Sequence, residues 1–162
     1  MRSLAIAVLA CIATGAPAAA ADLEANKLLI RGYIEEVFNK HQPEASDRFV
    51  AKDFIEHNPR LPHEGLAGTK KFLIKVFAAF SDYHGEIQEL VAEGDKVAVH
   101  LTITGTHLGP MGPIPPTGKK LRFEEMLILT IVDGRVVHQR GIPDNLNLLR
   151  QLGLVPTPPE SE

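Results

Sequence analysis

The residues with chemistry to offer are a few carboxylates and histidines set among apolar segments. Asp144 follows Pro143 and stands before the apolar run Asn145 to Leu152. A carboxylate in that place caps a helix by accepting a backbone N–H. Against an apolar cavity, which raises its pKa by desolvation, it would instead abstract a proton next to a carbonyl. The two roles coexist only partly, because helix N–H donors pull the pKa down. His57 stands before Asn58-Pro59, as a turn histidine or as a group for proton transfer or a hydrogen bond to a substrate carbonyl. His100 shares a strand face with Ala98, Thr102 and Thr104, and His107 follows the same strand. That face is either the inner wall of a cavity or the outside of the sheet. Glu124 and Glu125 point to opposite faces of their strand, so one can point inward, where Arg122 or Arg140 would be its partner.

Other chemistries are poorly supplied. His57 and His63 are six apart, and no His-x-His or His-x-x-x-His spacing occurs, so no metal site is expected. A Gly-x-Ser-x-Gly elbow and a phosphate-binding glycine loop are missing, and Gly105 to Gly112 opens no helix. The chain has 162 residues, 44% hydrophobic and 23% charged, with net charge -3, which suits one globular domain and gives no basic footprint for nucleic acid.

Residues 1–21 have the three parts of a secretory signal: Arg2, the uncharged run Leu4 to Ala13, and a small-residue cleavage site at Ala19-Ala20-Ala21. The run is about half of the roughly 20 residues a spanning helix needs. Cleavage after Ala21 would remove 21 of 162 residues, Arg2 and Cys11 among them, and leave 141 residues with no thiol. The expected organisation is a signal peptide over 1–21, one domain over 22–154 and a disordered tail over 155–162. The expected location is periplasmic or secreted, with no membrane insertion after cleavage.

The elements that must position these groups begin with a helix over 23–40, capped by Asp22, and a shorter helix over 43–50 opened by Pro43. A short extended piece covers 54–57. A third helix over 66–80 carries Phe72, Val76, Phe77 and Phe80 as one apolar stripe. From His84 the hydrophobic period changes to two. Strands are expected over 84–92, from Val97 onward, over 121–132 and over 135–142, with Asp133-Gly134 as a hairpin turn. Ile128, Leu129, Ile131 and Val132, apolar on both faces, suggest a central strand. Residues 108–118 hold four prolines and three glycines and are expected to be a loop without regular structure. A helix over 145–152 ends at Gly153. Helices first, then an antiparallel meander, is an α+β arrangement with the helices packed across one face of a bent sheet.

The segments FIEHNP (54–59), VAEGDKVAVHLTITGTHLG (91–109), PPTGK (115–119), VDGRVV (132–137) and the Asp144 to Gly153 ending resemble the SnoaL-like polyketide cyclases. Related proteins are called ester cyclases, in the nuclear transport factor two-like superfamily. The resemblance implies a cone-shaped sheet enclosing a deep apolar pocket, and a homodimer formed through the sheet. It implies an intramolecular aldol ring closure by acid–base chemistry, without metal or cofactor. It places His57 at the pocket and makes Asp144 the functional aspartate. Where the family often carries Glu-His-Trp, this chain has His138-Gln139-Arg140.

Two readings follow. In the first, the protein is an exported acid–base catalyst of cyclisation, isomerisation or a related lyase step on a small apolar carbonyl compound. Asp144 is then the base and His57 the assisting acid. Phe54, His100, His107, Met111, Glu125 and Gln139 are the candidate substrate contacts, with Phe72, Phe77 and Met126 adding apolar surface. In the second, the same pocket carries or senses a small apolar ligand without turning it over, which the altered 138–140 stretch favours.

Overall fold

The computed structural model describes residues 16–58 and 65–156, side chains of 16–21 excepted. The basic start and apolar run of the expected signal, His63 and the tail beyond Pro156 lie outside the described residues. Helix α1, Ala16–Tyr33, runs directly into a π-helical segment, Ile34–Asn39. Ile30, Tyr33, Ile34 and Val37 are buried at the i, i+3, i+4, i+7 spacing of one helix face. Lys40 N–H donates to Glu35 O at 3.0 Å and Gln42 N–H to Val37 O at 3.1 Å, the wide-turn pattern of a π-helix. Asp22, expected as a cap, lies inside α1, so cleavage after Ala21 would cut within this helix.

The helix expected over 43–50 is divided. A 3-10 turn, Pro43–Ala45, and the single-turn α2, Ser46–Phe49, give way at β-branched Val50 to strand β1, Val50–Glu56, which is longer than the extended piece expected at 54–57. Helix α3, Gly65–Ala79, buries Leu66 and Leu73. Strands β2 (His84–Glu93), β3 (Lys96–Thr106), β4 (Lys120–Val132) and β5 (Arg135–Pro143) follow, and α4, Asn145–Leu152, ends the domain.

The sheet order is β1-β5-β4-β3-β2, with β4 at its centre as its two-sided apolar pattern suggested. The meander accounts only for β2 to β5. Strand β1 joins it in parallel to β5, with Ile55 opposite His138 and Glu56 opposite Gln139. A parallel pair needs a long crossover and leaves no local turn signal. Asp133 and Gly134, at φ of 50° and 68°, make the expected two-residue turn between β4 and β5. Register shifts within β1–β5, β2–β3 and β4–β5 mark where the sheet bends.

Period two sorts the sheet's residues. Val97, Val99, Leu101 and Ile103 of β3 and Leu127, Leu129 and Ile131 of β4 face the helices and form the main core with Ile30, Ile34 and Val37. Full burial of a side chain of this size stabilises the fold by about 1.5–3 kcal/mol. The opposite face carries His100, Thr102, Glu124 and Met126 and is left open by the helices. The architecture is α+β, a curved sheet with helices across one face. Among the described residues no helix is long and apolar enough to cross a membrane.

The connection between β3 and β4 is more ordered than its composition suggests. Met111 and Ile114 exchange backbone hydrogen bonds at 3.0 and 3.1 Å around Gly112-Pro113. Leu108 and Gly109 both donate to Ala79 O, and a Cβ on Gly109 would run into the Ala78 carbonyl. The loop is therefore seated on the C-terminal end of α3 by a backbone approach that only glycine permits.

Candidate functional site

Between the helices and the concave sheet face lies a cavity of about 500 Å³. Its walls are mostly apolar: Phe38, Leu73, Phe80, Ile103, Phe123 and Leu127. Phe72 and Val76 of α3, the lip residues Pro110 and Met111, and Leu148 of α4 also face it. Its polar lining includes Glu56, Glu125, Gln139, Asn58, Tyr33 and Tyr83.

Two carboxylates therefore share one apolar chamber. Glu56 ends β1 on the face it shares with buried Phe54, and it is itself 8% exposed. It accepts from Asn58 N–H and from Gln139 Nε2, each at 2.9 Å. Both donors favour its ionised form. Glu125 points inward from β4, level with Leu101 of β3 and Pro143 of β5. Its carboxyl lies over Gly141, where a built Cβ would stand 3.2 Å from Oε1. Burial, and secondarily the Glu56 charge, push Glu125 up to about 7. The Glu125 carboxyl therefore holds its proton to near neutral pH.

Tyr33 and Tyr83 present phenols to the same chamber. Burial, then Glu56 and Glu125, drives the Tyr33 hydroxyl well above its ordinary value; burial, then Glu125 and Tyr33, does the same to Tyr83. Both stay protonated and can only act as neutral groups. The Tyr83 segment is held from the π-helical end: His41 Nε2 lies 2.8 Å from Tyr83 O, and Asn39 brackets Gly85 with bonds of 2.9 and 3.2 Å.

The candidates from sequence are divided between cavity and elsewhere. Glu125, Gln139 and Met111 line the cavity, as does Phe72. Phe54 is 3% exposed in the main core and Phe77 packs against it, neither on the cavity wall. His107 is wholly buried behind that wall, with Nδ1 3.1 Å from Thr117 Oγ1 and its ring against Phe80. His100 sits on the outer sheet face, Nε2 2.9 Å from Glu124 Oε2, and Met126 stands opposite it on the same face. The inward carboxylate of the Glu124–Glu125 pair is thus Glu125. Arg122 reaches toward Glu124, not Glu125.

The two residues expected to be base and acid stand apart from the chamber lining. Asp144 is exposed and accepts Asn147 N–H at 3.0 Å, the capping geometry, while its neighbours Pro143 and Asn145 line the cavity. Its backbone N–H donates to Glu124 O at 2.8 Å, which fixes the turn from β5 into α4. His57 alternates with Glu56 and falls on the other side of β1, its ring 5.3 Å from that of His138. Sequence reasoning did not single out Glu56, Tyr33 or Tyr83. A period-two reading of Phe54 and Glu56 was the available signal for the first. Among the described residues no group of three or more His, Cys, Asp or Glu side chains could hold a metal ion.

A family model described as SnoaL-like polyketide cyclase matches residues 28–152. The aklanonic acid methyl ester cyclase DnrD of Streptomyces peucetius is 31% identical over 131 residues, covering 77% of this chain and 88% of that protein. The nogalonic acid methyl ester cyclase of Streptomyces nogalater is 31% identical over 122 residues, covering 72% and 89%. Among solved structures, TsrD from Streptomyces laurentii superposes with a TM-score of 0.75 at 25% identity, covering 82% of this chain and 97% of its own.

Proposed function

The chain belongs to the SnoaL-like polyketide cyclase family, and from that premise we propose that it closes rings in small apolar carbonyl compounds by cofactor-independent acid–base chemistry on the Glu56–Glu125 pair. The observation that carries the proposal is that two carboxyls line one apolar chamber, Glu125, which burial raises to about 7, and Glu56, which accepts from Asn58 N–H and Gln139 Nε2. Two carboxylates whose surroundings push their proton affinities apart divide into a base and an acid.

Glu56 takes a proton from the carbon next to a carbonyl, and an enolate forms. The enolate carbon attacks a second carbonyl of the same molecule and makes the new C–C bond. Glu125 supplies a proton to the alkoxide that results. The proton held by Glu56 then returns to Glu125, and the pair is reset with no net gain or loss. Chamber walls such as Phe38, Phe80 and Phe123 fold the substrate so that its two reacting carbons meet.

The test uses an aromatic keto ester carrying an enolisable side chain, with ring closure followed by absorbance. Glu125→Gln and Glu56→Gln should each lower turnover by roughly 100-fold or more while the substrate still binds. Full turnover in either variant would refute the assignment. Tight binding with no turnover in the unaltered protein would favour the carrier reading.

The proposal extends to assembly and location. Val91, Met126, Ile128 and Ile142 expose 62%, 48%, 48% and 76% of their surface on the outer sheet face, an apolar patch that suits a second copy of the chain. Ile128→Asp should convert a sedimenting dimer to monomer. Export rests on the residue 1–21 grammar, and an N-terminus at Asp22 in protein recovered from the periplasm or medium is the expected result.

A further inference from the structure

The chain has two tyrosines, and both line the cavity. Tyr33 comes from the last turn of α1 and Tyr83 from the turn between α3 and β2, 50 residues later. Phe38 packs against both rings, at centroid distances of 5.3 Å to Tyr33 and 6.2 Å to Tyr83, and holds them on one wall. Tyr33 is 1% exposed, yet its hydroxyl has no hydrogen-bond partner among the described residues, and neither has that of Tyr83. Neither hydroxyl is among the sealed-off polar atoms of the structure, and both residues line the cavity. Two such hydroxyls at one chamber, fixed by ring packing and by the bonds from His41 and Asn39, are donors held ready for an acceptor that arrives with the substrate.

We propose that the Tyr33 and Tyr83 hydroxyls form a two-donor oxyanion site that holds the substrate's carbonyl oxygen as it becomes an enolate, so that the cavity also exchanges the α-hydrogens of apolar monoketones that have no second carbonyl to close upon. This rests on Glu56 as the base. The α C–H bond breaks and its proton passes to Glu56. That electron pair becomes the C=C bond of the enolate, and the carbonyl π pair moves onto oxygen, where the two O–H donors meet it. The proton on Glu56 exchanges with solvent, and return of a proton or deuteron from Glu56 to carbon restores the ketone, so only solvent hydrogen is exchanged. The acceptor this site selects is a single flat ketone or enolate oxygen at the edge of an apolar skeleton.

Two probes separate the donors from the base. 2-Tetralone reports exchange, through deuterium uptake from D2O followed by mass spectrometry. 2-Naphthol, which has the shape of its enol, reports binding without reaction. Tyr33→Phe and Tyr83→Phe should each slow exchange by roughly 100-fold and weaken 2-naphthol binding by at least about tenfold. Glu56→Gln should abolish exchange and keep 2-naphthol binding, because the probe is held at its oxygen and not by the base. Replacement of tyrosine by 3-fluorotyrosine throughout the chain labels both hydroxyl sites, and both fluorine resonances should shift when 2-naphthol binds, which serves if a phenylalanine variant fails to fold. Exchange that needs Glu56 but ignores both tyrosines, or fluorine signals unmoved by bound 2-naphthol, would overturn the donor pair. Tyrosine-dependent 2-naphthol binding with no exchange in the unaltered protein would uphold the donors and refute the base.

Discussion

Gln139 and Glu56 stand directly opposite one another across the parallel β1–β5 pair, and the Gln139 amide donates to Glu56 Oε2 at 2.9 Å. An N–H donor at this point favours the ionised form of the carboxylate it meets. Gln139→Leu removes one charge-assisted bond, of about 1.5–3 kcal/mol. The expected result is a rise in the acidic limb of the pH–rate profile, with a smaller loss at high pH where Glu56 is ionised regardless. An acidic limb in the same place would show that Gln139 does not tune the base.

Glu125 makes the fold pH-dependent in a defined direction. Its folded pKa of about 7 lies above the ordinary 4.5, so the folded chain holds a proton that the unfolded chain has released. Stability therefore falls as pH rises from about 4.5 to about 7 and levels off above, a loss on the order of 3 kcal/mol. Thermal midpoints measured from pH 5 to pH 8 should decline in the unaltered protein and stay nearly level in Glu125→Gln. The same deprotonation removes the acid, so turnover should fall above pH 7. A flat stability profile would mean that Glu125 titrates normally.

Asp144 is tested by what it caps. Asp144→Ala should cost about 1 kcal/mol by losing the bond to Asn147 N–H, while Asp144→Asn keeps a capping oxygen and should cost a few tenths. Turnover should survive in Asp144→Asn, since the side chain is exposed at the end of β5 and outside the chamber lining. A loss of turnover there with an unchanged thermal midpoint would return Asp144 to the chemistry.

Gly109→Ala should unseat the lip. The added methyl group meets the Ala78 carbonyl, so the Leu108 and Gly109 bonds to Ala79 O cannot both persist. Overpacking of this kind typically costs about 1–3 kcal/mol. Ligand affinity should also fall, because Met111 is carried on the same segment, and hydrogen exchange at Leu108 and Gly109 should quicken. Unchanged exchange at these amides would show that the backbone has room to adjust.

The sheet was readable because its residues alternate: Leu121, Phe123, Leu127 and Leu129 mark the inner face of β4, and Glu125 is the lone carboxylate among them. By the same period His100 could be assigned to a face but not to inside or outside, since Ala98, Thr102 and Thr104 suit either. Strand β1 escaped notice as a partner of β5 because parallel pairing leaves no turn in the sequence, and with it went the pairing of Glu56 with Gln139. Tyr33 and Tyr83 could not be brought together by any local pattern. They meet only after α1 has crossed the sheet and the π-helical segment has returned the chain to Gly85.

Gly141 gives the acid an address of an unusual kind. The Glu125 carboxyl occupies space that a side chain on the neighbouring strand would otherwise fill, since a methyl group at 141 would come within 3.2 Å of Oε1 and 3.0 Å of Leu127 Cδ2. What the fold provides here is a pocket of volume between two adjacent strands, reachable from either. A carboxylate on β5 at 141, with a small residue at 125, would arrive in nearly the same place from the other direction. The proposed acid could thus pass from one strand to the next on the same backbone, and two chains of this fold could share a reaction and a base while placing the acid at different positions.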